Sequence, residues 1–124
     1  MRDGKYVILA LDDDPDILES LRVVLEANNY IVDTARSAEE GLRVYRSGKP
    51  DLVFVDLMME EIDSGTSFVK ELRALGNAAP VYVLSSVGDN LNMATDFSSL
   101  GLTGVLQKPI NSTLLLSLLK TKLK

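Results

Sequence analysis

The stretch Tyr6–Pro15, YVILALDDDP, decides the fold class of this 124-residue chain. Its first six residues are all apolar, which is typical of a strand covered on both faces. Acidic residues and a proline follow at once, so we predict that Asp14 caps a helix and that Pro15 is its first residue. A buried strand that leads directly into a helix is half of a βα unit, the building block of a parallel sheet.

The same strand-then-helix order recurs along the whole chain. Further apolar runs that predict strands are Tyr30–Thr34, Leu52–Val55, Val81–Leu84 and Gly104–Leu106. Tyr30–Thr34 is more mixed in polarity than the others and therefore suits an edge of the sheet.

Helix signals fill the gaps between these runs. Ser37 is predicted as an N-cap with Glu40 completing a capping box, Asn111 as the cap of the last helix, and Gly76 as a C-cap. A weaker helical pattern covers Asp89–Leu100. We therefore predict one domain over residues 1–124, a doubly wound α/β fold of the flavodoxin-like (βα)5 type, with a five-stranded parallel sheet in the order 2-1-3-4-5.

The composition excludes several kinds of site. The chain has no cysteine and no histidine, so it offers no thiol nucleophile, Ser-His-Asp triad or Cys/His zinc site, and a metal would have to be a hard cation on oxygen ligands. The net charge of -5 and the scattered Lys and Arg residues do not favour direct binding to nucleic acid. No apolar run approaches a membrane span and no signal-peptide layout is visible, so we expect a cytoplasmic protein.

Polar residues follow the predicted strands at the point where each strand ends. They are Asp12, Asp13, Asp14, Asp56, Ser85, Ser86 and Lys108. Taken singly, each would be ordinary as a helix cap, a turn residue or a solvated lysine. Strand order 2-1-3-4-5 brings them to one edge of the sheet, where the carboxylates would repel one another. We therefore expect a divalent cation, Mg²⁺ where phosphate is handled, with Lys108 beside it.

In this combination and order, the residues resemble the receiver domain of two-component response regulators, in particular the chemotaxis-regulator-like members. The matching elements are the acidic pair within Leu11–Pro15, Asp56 within Val55–Met59, Ser85 after the fourth strand, and Lys108–Pro109 after the fifth. The resemblance covers essentially the whole chain and implies a magnesium site. Asp13 and Asp56 would bind Mg²⁺ directly, Asp12 would act largely through water, and the Met58 backbone carbonyl would complete the protein ligands.

The resemblance also implies a phosphoryl-transfer site and a phosphorylation-dependent signalling switch. Asp56 would accept the phosphoryl group, Ser85 would hydrogen-bond one of its oxygens, and Lys108 would pair with it. Such a domain assists its own phosphorylation and is not a turnover enzyme. Met58 and Val87 would flank the path of the hydrolytic water, and because neither side chain can orient water, we expect slow dephosphorylation.

Partners follow from the same resemblance. Because the chain has no histidine, the donor phosphohistidine must belong to a sensor histidine kinase or a histidine phosphotransfer protein, unless a small phosphodonor is used. The output would pass to an effector or a second copy through the fourth helix, fifth strand and fifth helix of the predicted fold. On the last helix we predict that Leu114, Leu115, Leu118 and Leu119 form the buried stripe. Leu116 and Leu123 then remain either as stray surface leucines or as part of the partner surface.

The sequence departs from the family's usual pattern at three positions. Glu60 replaces a proline after the acceptor, the loop glycine is displaced to Gly65, and Val105 stands where many members carry a Tyr or Phe whose rotation reports phosphorylation. A valine cannot make that rotation, so the hydroxyl of Ser85 is the part of the switch that remains.

Two other classes fit part of the pattern. A haloacid-dehalogenase-like phosphatase would use Asp12 as nucleophile and Asp14 as general acid, but it leaves Asp56 without a role and needs a further acidic motif after Lys108. A flavodoxin-like cofactor module would need a glycine-rich phosphate loop, and none follows any predicted strand.

Overall fold

A computed structural model describes residues 2–56, 64–85, 103–108 and 110–123. The strands and helices run in the order β1 (Val7–Leu11), α1 (Pro15–Glu26), β2 (Ile31–Ala35), α2 (Ala38–Gly48), β3 (Leu52–Asp56), α3 (Ser64–Ala74), β4 (Val81–Ser85), β5 (Gly104–Gln107) and α4 (Ser112–Lys122). The helix predicted over Asp89–Leu100 lies outside the described residues. Within the part of the chain that the structure describes, no helix is long and apolar enough to cross a membrane.

The five strands form one parallel sheet in the order β2-β1-β3-β4-β5. This confirms the predicted fold class and strand order, including β2 as an edge strand. Strands β1, β3 and β4 are buried along their full length, because helices cover both faces of the sheet.

The sheet separates two apolar cores. Alternate side chains of a strand point to opposite faces, so Ile8 and Ala10 enter the core beneath α1 and α4, whereas Leu9 and Leu11 enter the core beneath α2 and α3. This explains why β1 reads as an uninterrupted apolar run. It also keeps the strand rigid up to the acidic residues that follow it.

The predicted helix caps are confirmed. The side chains of Asp14, Ser37 and Asn111 accept hydrogen bonds from the backbone N–H groups of Asp16, Glu40 and Leu114, respectively. Gly76 ends α3 in a left-handed conformation, with φ of 79°. The N–H of Gly76 donates to Arg73 O and that of Asn77 donates to Leu72 O, which is the Schellman pattern.

A close approach between α2 and β1 depends on Gly41. This residue is buried, and a Cβ added there would collide with the Leu11 side chain and come within 3.0 Å of Phe68 Cε1. The spacing of apolar side chains predicts which face of a helix is buried. Glycine has no side chain, so this pattern does not reveal its role in packing. The contact was therefore not predicted.

The buried stripe of α4 differs in part from the prediction. Leu115 and Leu119 are fully buried, but Leu114 is 59% exposed, and Leu116 and Leu123 pack against the core with Leu118. The stripe is thus centred on Leu115 and Leu119 and rotated toward Leu116. Leu116 and Leu123 are partly buried against the core and are therefore not stray surface leucines, their part in a partner surface stays a prediction, and Leu114 is the exposed leucine of this face.

Two neighbouring leucines test this orientation of α4. Leu115→Ala should lower the free energy of unfolding by about 2–5 kcal/mol, because it leaves a cavity in the core. Leu114→Ala, a chemically identical change at an exposed position, should alter it by about 0.5 kcal/mol or less. Chemical denaturation of the two variants measures both values. Equal losses would contradict the orientation.

Candidate functional site

The predicted site residues that the structure describes lie together at the carboxyl edge of the sheet. Asp12 directly follows β1, Asp56 ends β3, Ser85 ends β4, and Lys108 directly follows β5. Because β1, β3, β4 and β5 are consecutive neighbours in a parallel sheet, their carboxyl ends reach the same edge. Residues more than fifty positions apart in the sequence therefore come into contact.

The ammonium group of Lys108 lies between two buried carboxylates. Lys108 Nζ is 2.7 Å from Asp12 Oδ2 and 3.2 Å from Asp56 Oδ2. Asp12 and Asp56 are buried, and the Lys108 side chain is only 13% exposed. Because these groups are largely shielded from water, their electrostatic attraction is stronger than that of an ion pair in water.

Backbone pairing between β4 and β5 places Lys108 at this position. Gln107 is in register with Ser85 at the end of the β4–β5 ladder, and the N–H of Lys108 donates to the carbonyl oxygen of Ser85. Ser85 is itself buried. The hydroxyl-bearing residue and the ammonium-bearing residue are thus fixed relative to each other through main-chain contact.

The pKa values of two groups in the site are raised, for different reasons. Burial raises the pKa of Asp12, and the opposing effects of the Lys108 ammonium and the Asp14 N–H do not cancel this rise. Burial lowers the pKa of Lys108, but its contacts with Asp12 and Asp56 outweigh burial and leave the pKa raised. The rise in the pKa of Asp12 therefore reflects burial first, and the rise in the pKa of Lys108 reflects the two carboxylates beside it.

Three carboxylates could hold a metal ion. Asp12, Asp13 and Asp56 each offer an oxygen, and these oxygens lie within 4.8 Å of one another. Asp12 Oδ1 accepts a hydrogen bond from the Asp14 N–H, whereas the buried Asp12 Oδ2 has the Lys108 ammonium beside it at 2.7 Å. An all-oxygen set of this kind suits a hard divalent cation, so the residues present fit Mg²⁺.

Asp14 does not join this cluster. Its carboxylate accepts a hydrogen bond of 2.9 Å from the Asp16 N–H, which confirms the simple interpretation of Asp14 as a helix cap. A phosphatase would need this carboxylate as a general acid beside Asp12, and the cluster contains Asp56 in its place.

Five of the residues singled out in the sequence are not among the described ones. Met58, Glu60, Ser86, Val87 and Pro109 lie outside the described residues. Val105 lies within β5 and packs against the core beneath α2 and α3. The backbone ligand predicted at Met58 and the water-flanking roles predicted for Met58 and Val87 therefore stay predictions.

One neighbour of the site was not predicted. Arg36 directly follows β2, and its Nη2 donates to the backbone carbonyl of Asp13 at 3.2 Å. The position of Arg36 after an edge strand, at the carboxyl edge of the sheet, is the only signal in the sequence that could have drawn attention to it. Arginine is common on protein surfaces, so this position alone does not single the residue out.

Comparisons with known proteins agree with this arrangement. The sequence matches the family described as response regulator receiver domain over residues 8–120. It is 36% identical over 104 residues to the transcriptional regulatory protein GlrR of Escherichia coli K12, which covers 84% of this chain and 23% of GlrR. It is 39% identical over 79 residues to the response regulator MprA of Mycolicibacterium vanbaalenii, which covers 64% of this chain and 34% of MprA.

Solved structures support the same relationship. The fold is similar to that of the chemotaxis response regulator CheY4 of Vibrio cholerae, with a TM-score of 0.83 and 27% identity over 97% of this chain and 100% of that chain. The curated relatives are longer, and this chain spans about a quarter to a third of their length. The family match covers nearly all of the sequence, so this chain belongs to the response regulator receiver domain family of two-component signalling.

Proposed function

We propose that this chain is a phosphorylation-dependent switch in which Asp56 accepts a phosphoryl group. The observation that carries the proposal is the contact of the Lys108 ammonium with both Asp12 and Asp56, beside a third carboxylate from Asp13. The family is a signalling family and not a class of turnover enzymes. The site therefore has to receive one phosphoryl group and hold it, rather than release product repeatedly.

Asp56 is the carboxylate best suited to be the acceptor. It ends the central strand β3, is buried, and already touches the cation that would stabilise the transferred group. In the transfer, an Asp56 oxygen forms a bond to phosphorus while the bond between phosphorus and the donor nitrogen breaks. Phosphoryl transfer through a loose transition state needs positioning and charge neutralisation more than a strong nucleophile.

Asp12, Asp13 and Asp56 would hold Mg²⁺, which when bound supplies positive charge to the phosphoryl oxygens. Asp13, the exposed member of the three, would meet the ion from the solvent side. The Lys108 ammonium would keep its contact with Asp12 and pair with a phosphoryl oxygen in place of the Asp56 carboxylate. The Ser85 hydroxyl, one strand away, would donate to another oxygen.

The donor must lie outside this chain. The sequence contains no histidine, so a phosphohistidine donor belongs to a sensor histidine kinase or a histidine phosphotransfer protein. Acetyl phosphate, a small molecule with a transferable phosphoryl group, serves as a laboratory substitute.

The output would pass through the face formed by β5 and α4. A groove of about 330 Å³ lies there, lined by residues that include Val105, Leu114 and Leu118, and Leu114 is largely exposed. An exposed leucine beside an apolar groove suits contact with an effector or a second copy of the chain. The predicted helix that would border this face lies outside the described residues.

Metal binding can be tested by thermal unfolding. At ten times its dissociation constant, Mg²⁺ adds about 1.4 kcal/mol to the stability of the folded state, which corresponds to about 5 °C in Tm for a domain of this length. Asp13→Asn should abolish this rise. Asp16→Asn, which removes an exposed carboxylate outside the cluster, should retain it. A full rise in Asp13→Asn would contradict the proposed ligand.

The acceptor can be tested by intact-mass measurement. With acetyl phosphate and Mg²⁺, the wild type and Asp16→Asn should each gain one phosphoryl group, and Asp56→Asn should gain none, because its amide cannot form the acyl phosphate. Labelling that persists in Asp56→Asn would refute the assignment.

The role of Ser85 can be separated from that of the acceptor. Ser85→Ala should still be phosphorylated, because Asp56 and Lys108 are intact. Phosphorylation should then change the amide chemical shifts of β5 and α4 less than in the wild type, because no hydroxyl draws the end of β4 toward the phosphoryl group. Nuclear magnetic resonance spectra before and after acetyl phosphate give the comparison. Shift changes as large as in the wild type would show that Ser85 does not transmit the signal.

A further inference from the structure

Arg36 connects the edge of the sheet to the acidic loop after β1. Its guanidinium group donates a hydrogen bond of 3.2 Å to the backbone carbonyl of Asp13. The same two chain segments meet once more, where the Asp12 N–H donates to the carbonyl oxygen of Ala35 at 3.1 Å. The loop that carries Asp12 and Asp13 is therefore tied at two successive residues to the end of β2.

The position of the Asp13 carboxylate depends on these backbone contacts more than the positions of the other two carboxylates do. Asp12 and Asp56 are buried and in contact with Lys108. Asp13 is exposed, so its carboxylate is kept near the other two chiefly by the position of its own backbone. The Arg36 hydrogen bond holds the carbonyl of that same residue.

Arg36 is itself anchored by the start of α2. Glu40 Oε1 accepts a hydrogen bond of 3.1 Å from the Arg36 N–H, and the Glu40 N–H donates to Ser37 Oγ at 3.1 Å. Glu40 thus accepts from the N–H of the residue before the N-cap rather than from Ser37 as in the predicted capping box, and the two hydrogen bonds fix the backbone from which the guanidinium extends. A rigid helix start, an arginine and the Asp13 carbonyl form one continuous set of contacts.

We propose that Arg36 is a positioning residue that sets the Mg²⁺ affinity of the site by holding the backbone of Asp13. This inference rests on the proposed function, in which Asp13 is a Mg²⁺ ligand. Arg36 does not touch the reacting atoms in this role. It reduces the motion of the one exposed ligand, so that less order has to be gained when the ion binds.

The positive charge of Arg36 would affect Mg²⁺ affinity in the direction opposite to that of the positioning contact. A guanidinium near the site repels a divalent cation, so a residue acting through charge alone would weaken Mg²⁺ binding, and its removal would tighten it. Loss of a positioning contact weakens binding instead. The sign of the change in affinity therefore separates the two effects.

Calorimetric titration of the full chain with MgCl₂ provides the test. Arg36→Ala should raise the dissociation constant about tenfold, the lower end of what outer contacts to metal ligands contribute. Arg36→Lys should recover part of the loss, because an ammonium can still donate to the carbonyl. Arg43→Ala removes the same charge from an exposed position of α2 and should leave the affinity unchanged.

A second measurement separates a positioning role of Arg36 from a purely structural one. The free energy of unfolding without Mg²⁺ should be the same for Arg36→Ala and Arg43→Ala, since both side chains are exposed. An unchanged or tighter Mg²⁺ dissociation constant in Arg36→Ala, or a weakening that merely follows a loss of stability, overturns the inference. If the wild type binds Mg²⁺ and Asp56 is labelled, that outcome leaves the proposed function intact. If the wild type binds no Mg²⁺, the proposed metal site and this inference fail together.

Discussion

The site depends on one lysine ammonium shared by two buried carboxylates. Without Lys108, Asp12 and Asp56 would face each other with no cation between them, in an environment that screens charge poorly. With Lys108 present, the carboxylates of Asp12, Asp13 and Asp56 still outnumber the cation. In the proposed function, that imbalance makes the site receptive to a divalent ion, and the ion together with Lys108 would then neutralise the charge of the transferred phosphoryl group.

The fold supplies this contact through strand order rather than through sequence proximity. Asp12, Asp56 and Lys108 each sit at the carboxyl end of a different strand, and β1, β3, β4 and β5 are neighbours in the sheet. The strands carry apolar cores on both faces, so their ends are rigid. In the proposed phosphoryl transfer, rigid strand ends would hold the charges in place before the phosphoryl group binds, which is the condition for electrostatic preorganisation.

Much of the fold could be predicted because different signals in the sequence agree. The apolar run of Val7–Leu11, the cap at Asp14 and the glycine at Gly76 all point to the same alternation of strand and helix. Asp12, Asp56 and Lys108 could be brought together once the strand order was assumed. The features that escaped prediction depend on tertiary contacts: the rotation of α4 that exposes Leu114, and the guanidinium of Arg36 reaching across to another loop.

The most direct measurement is a crystal structure of the chain with Mg²⁺ and beryllofluoride, a stable mimic of the phosphoryl group. We expect beryllofluoride on an Asp56 oxygen and Mg²⁺ on the carboxylates of Asp13 and Asp56. We also expect Lys108 Nζ to have left Asp56 for a fluorine while it stays near Asp12. Beryllofluoride on another carboxylate, or a Lys108 ammonium still paired with Asp56 and remote from the fluorines, would contradict the central role given to the shared lysine.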